Sequence, residues 1–76
     1  MATKPNSVFT LGTIISVDLA NRVCARLDLA CEISAGNFSW AHDGSCTQFT
    51  APRQLGSVNY RIAQAVIDGL RIGLFY

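Results

Sequence analysis

Between Ile15 and Ile33 apolar and polar residues alternate. Ile15, Val17, Leu19, Val23, Ala25, Leu27, Leu29, Cys31 and Ile33 hold the odd positions, and Ser16, Asp18, Arg22, Arg26, Asp28 and Glu32 stand between them. A period of two is the signature of extended chain with one buried face. Asn21 is the single polar residue on the odd side. It ends the stretch Asp18-Leu19-Ala20-Asn21, whose Asp and Asn suit a turn. The pattern therefore predicts two strands sharing one apolar side. A helical reading competes, because Leu19, Ala20, Val23, Cys24, Leu27 and Cys31 also fit one helical face. Leu29 and Ile33 fall off that face and fit the strand, so the strand reading is preferred.

The remaining signals extend this picture. Val8 to Ile14 continues the first strand, with Gly12 as a bulge or sharp bend. Ser34-Ala35-Gly36-Asn37 reads as a turn. Phe38 to His42 and Ser45 to Thr50 flank Asp43-Gly44, a two-residue hairpin signal. Pro52 ends that run, and a loop follows to Gly56. Residues 57–68 suit either a strand (Val58, Tyr60, Ile62) or a short helix (Ile62, Ala63, Val66, Ile67) capped by Ser57. Leu70 to Tyr76 reads as a closing strand. No internal repeat or linker is evident. The expectation is a flexible arm over 1–7 and one mainly β domain over 8–76, a small five-stranded Greek-key barrel of the OB type. The alternative, if both ambiguous stretches are helices, is an α+β sandwich of order β-α-β-β-α-β.

Bulk properties limit the function. A chain of 76 residues forms one small core with little stability to spare, which favours help from a partner. Only 14% of residues are charged, well below the usual quarter, and such a weakly charged surface tends to self-associate. The net charge of +1 is spread along the chain, without the basic patch of a nucleic-acid binder or the polybasic run of a membrane-surface binder. Three cysteines and a polar start without a leader-type apolar core lead us to expect free thiols in a reducing cytoplasm. No apolar run has the length of a membrane span.

Gly12-Thr13-Ile14-Ile15-Ser16-Val17-Asp18-Leu19-Ala20-Asn21-Arg22-Val23-Cys24-Ala25-Arg26-Leu27 resembles the opening hairpin of phage baseplate assembly protein V, the central-spike family of contractile-tailed phages. Trp40, then Phe49-Thr50-Ala51-Pro52 with Gly56 and Val58, then Arg71-Ile72-Gly73-Leu74-Phe75-Tyr76 are similar to later segments of that family in the same order. The resemblance covers about residues 11–76. It implies an OB barrel that assembles as a homotrimer on the tail axis with other tail or baseplate proteins, in a virion built in the bacterial cytoplasm. The family normally continues into a β-helical needle. The sequence ends at Tyr76, so the needle's membrane-piercing role is not carried over.

Candidate chemistry is sparse. His42 beside Asp43 has the make-up of a general base or metal ligand, but site chemistry needs more converging groups, and a surface place at the hairpin is the simpler expectation. Cys24, Cys31 and Cys46 lack the close pairing of structural zinc ligands. Cys46 near His42 could be imagined as a nucleophile, yet all three cysteines read better as packing residues. Phe38, Trp40 and Phe49 suggest a stacking platform for single-stranded nucleic acid, but without a basic groove they read as core or interface. No catalytic residue, cofactor or metal is therefore assigned. The expected protein interface is Trp40, Phe49, Phe75 and Tyr76, since aromatics are enriched in interface cores. The leading expectation is a structural tail component, not an enzyme. A small mobile-element inhibitor or adaptor that binds a host protein, and an OB-type single-strand-binding module, stand as alternatives.

Overall fold

Ser16 decides the first half of the chain. In the computed structural model, which describes residues 6–73, its hydroxyl accepts the Leu19 N–H at 3.2 Å and caps a helix. This α1 spans Val17–Ala30, with Asp18 in its first turn, where a negative charge suits the helix N-terminus. Leu19, Ala20, Val23, Cys24 and Leu27 form its buried face. The strand pair expected from the period of two is overturned. Of the two residues that favoured strand, Leu29 is 72% exposed and Ile33 lies beyond the helix end, and Val17 is 60% exposed as well. Two apolar residues on the solvent face gave a helical stripe the look of alternation.

The elements run β1 (Val8–Thr10), α1, β2 (Ser39–Asp43), β3 (Cys46–Thr50) and α2 (Ser57–Arg71). The three strands form an open antiparallel sheet of order β1-β3-β2. The fold is thus α+β, and the mainly β five-stranded barrel is corrected: among the described residues there are two helices, one open sheet and no closed barrel. β1 and β2 run parallel to each other with β3 between them, the split β-α-β arrangement. The order matches the first five elements of the β-α-β-β-α-β alternative. The sixth element of that order, a fourth strand, is not found among the described residues. Leu70 and Arg71 end α2, Ile72 and Gly73 follow as a turn, and the last three residues of the expected closing strand, 74–76, lie outside the described part. Most of the expected arm, residues 1–5, lies outside it too. The hairpin sits where Asp43-Gly44 placed it, with Gly44 at φ 65° in the left-handed region that glycine enters freely.

The two halves repeat, which the sequence reading missed. A strand, a six-residue loop and a helix recur forty positions apart, from Phe9 and from Phe49. Leu11 and Ala51, Ile15 and Leu55, Val23 and Ala63, and Leu27 and Ile67 are equivalent and all buried. Phe9 pairs with Phe49 in the ladder, so a local two-fold axis passes between them. The bonds across it come in matched pairs. Leu11 N–H donates to the Thr47 carbonyl at 2.8 Å, and Ala51 N–H to the Ser7 carbonyl at 2.9 Å. Ile15 N–H donates to the Thr47 hydroxyl at 3.1 Å, and Leu55 N–H to the Ser7 hydroxyl at 2.8 Å. Each half thus supplies a buried hydroxyl to the loop of the other. Both helices pack on the Phe9–Phe49 face, leaving Val8, Thr10, Ser39, Ala41 and Gln48 on the outer face.

Thr47→Val keeps the side-chain volume and strands the buried Ile15 amide. It should cost about 1–3 kcal/mol, read from the urea midpoint, while Thr47→Ser, which retains the hydroxyl, loses less. An unchanged midpoint in Thr47→Val would show that the crossed bond contributes nothing.

Candidate binding surface around Trp40

Asp28 shapes the ground beside Trp40. It is 2% exposed near the end of α1, and its carboxylate accepts the Phe38 N–H at 2.9 Å and the Gly36 N–H. Its carbonyl accepts the Ile33 N–H at 2.7 Å. One buried acid therefore folds the 31–38 segment back over α1, and Gly36 takes φ 89° in that turn. The result is a groove of about 440 Å³ between α1 and β2, walled by Asn21, Cys24, Ala25, Gly36, Phe38 and Trp40. Its small residues leave room, and Trp40 closes one side. The Trp40 Nε1–H donates to Asn21 Oδ1 at 3.1 Å, and the indole meets His42 edge-on at 5.3 Å.

The strand beside this groove is an edge. Successive residues of an antiparallel strand bond alternately to its two sides. The bonds that flank the Phe9–Phe49 pair turn the backbone of Phe49 to β1, so Gln48 bonds Ala41 of β2. The backbone N–H and C=O groups of Trp40 and His42 therefore face outward, and no described residue bonds to them. The outer edge of β1 differs. There Arg71 reaches over from α2 and donates to the Thr10 carbonyl at 2.8 Å. A cation laid on a strand edge is a common guard against unwanted pairing.

The residues singled out from sequence are scattered. Trp40 is half-buried, with part of its ring at the surface. Phe49 is fully buried in the central strand and presents no surface. Phe75 and Tyr76 lie outside the described residues. Phe38 is 3% exposed, so of the three aromatics read as a stacking platform only Trp40 reaches the surface. His42 and Cys46 are on neighbouring strands, but His42 stands opposite Thr47 in the ladder, and Cys46 opposite Asp43. Among the described residues no three His, Cys, Asp or Glu side chains converge as metal ligands. The signal that could have found the groove was Asp28: an acid on the helical stripe, followed by a glycine turn.

Cys24 and Cys31 are buried, and desolvation raises both thiols above the ordinary value of 9.0, with the Asp28 charge adding to it. Cys24 is pushed up to about 11. Comparison with protein-family models, characterised proteins and solved structures returned no match.

Two outcomes follow from the thiols. Iodoacetamide at pH 8 should modify Cys46 first, with Cys24 and Cys31 reacting only after denaturation, as read by peptide mass spectrometry. The native state also holds the Cys24 proton that the unfolded chain releases. The matching stability is complete below pH 9 and is lost as the pH rises through about 11. The urea midpoint should fall over that window in the wild type and fall less in Cys24→Ala.

Proposed function

We propose that this chain is a non-catalytic protein-binding module that captures an extended segment of a partner by adding it to the free edge of β2. The observation that carries this is the coincidence of three features: outward N–H and C=O groups at Trp40 and His42, a groove of small residues beside them, and the only tryptophan of the chain at the rim. Strand addition draws affinity from main-chain bonds and specificity from the pocket that receives alternate side chains. A half-exposed tryptophan over such a groove has the make-up of an interface hot spot.

This reading accommodates an adaptor or inhibitor that binds a host protein. The tail-axis reading came with a resemblance whose barrel the described residues do not form, so the open sheet lends it no support. Single-strand binding is not favoured either, given a net charge of +1 and a single surface aromatic in the expected platform.

A displayed library of random ten-residue peptides, selected on the purified chain, tests the proposal. Enriched peptides should shift the amide resonances of Trp40, Ala41 and His42 and change the tryptophan emission. Trp40→Ala should weaken them by tenfold or more, and N-methylation at alternate peptide positions should abolish binding. Enriched peptides that leave those amides unmoved, or a library that yields none, would count against strand capture.

A further inference from the structure

The internal repeat provides a control for the surface of α2. Residues forty apart occupy equivalent places, so the solvent faces of the two helices invite direct comparison. On α1 that face carries Asp18 and Arg22, an exposed ion pair at 3.2 Å one turn apart. The equivalent residues of α2 are Val58 and Ile62, which are 70% and 36% exposed. Ala65 continues the line and is exposed as well. Steps of four and then three residues are the seam spacing of a helix packed against another helix. Arg61 and Asp68, two turns apart, flank this seam on one side.

We propose that α2 pairs antiparallel with α2 of a second copy of this chain, through Val58, Ile62 and Ala65. With Ile62 set against Ala65 of the second copy, and the reverse by symmetry, each central layer joins a large residue to a small one. The same register brings Arg61 beside Asp68 of the second copy, and the two-fold repeats that contact. The flanks are thus complementary in charge to their own copy, which selects a second copy over an unrelated apolar helix. Asp68 already accepts from Gln64 at 3.2 Å and from Arg71 at 3.3 Å within its own helix. Those bonds are exposed, so sharing the carboxylate costs little. The groove beside Trp40 lies at α1 and β2, so pairing through α2 is a separate property from strand capture.

The test transplants the surface of α1 onto α2. Val58→Asp with Ile62→Arg recreates the Asp18–Arg22 pair at the equivalent place, where it is compatible with the helix. Sedimentation equilibrium of the wild-type chain should give a mass rising with concentration toward twice 8.2 kDa. The double variant should keep its circular dichroism and remain a monomer. Arg61→Asp alone should weaken the dimer by fivefold or more, and adding Asp68→Arg should restore it. A wild type that stays monomeric at millimolar concentration, a mass of three chains, or a dimer indifferent to the double variant would overturn the proposal.

Discussion

Two buried hydroxyls hold the loops of this molecule in place. Ser7 and Thr47 each reach across the sheet to an amide in the opposite strand-to-helix loop. The residue bonded, Ile15 or Leu55, directly precedes the helix cap, Ser16 or Gly56. Each bond thereby fixes where a helix leaves the sheet, and so how its apolar face meets Phe9 and Phe49. A buried amide with no partner is costly, and no other described group reaches these two. The placement of both helices thus depends on residues that the other half supplies.

The sequence disclosed the local turns and concealed the larger order. Gly44, the turn over Ser34–Asn37 and the Pro52 break were legible because each depends on the backbone freedom of a few adjacent residues. The helix α1 was not, because Val17 and Leu29 are apolar residues on its wet face, and periodicity assumes that apolar means buried. The repeat escaped notice because Phe-Thr, Ala25 with Ala65 and Asp28 with Asp68 are all that the halves share in letters. Leu11 answers Ala51 and Val23 answers Ala63, equal in burial and unequal in size. Ser7 and Thr47 look like ordinary polar residues until the register sets them opposite the loops. Of the interface residues read from sequence, Trp40 is at the surface and Phe49 is not, since a central strand between two others hides its core-facing side chains.

The surface is uneven in a way that a low charge content alone does not explain. The edge of β1 is guarded by Arg71, whereas the edge of β2 is bare beside a groove. The face of α1 carries an ion pair, whereas that of α2 carries valine and isoleucine. In the helix comparison one member of an equivalent pair of positions is charged and the other is apolar. Near-symmetry makes the contrast informative, because backbone geometry is shared and only the side chains differ.

The crossed hydroxyl bonds also bear on how the chain comes to be folded during its synthesis. Thr47 is made long after Ile15, and until it emerges the first loop has no partner for its amide and β1 has no neighbour in the sheet. A β1–α1 segment waiting alone offers one short strand and one amphipathic helix, too little to hold together in water. The first half therefore stays open until the second half can close on it.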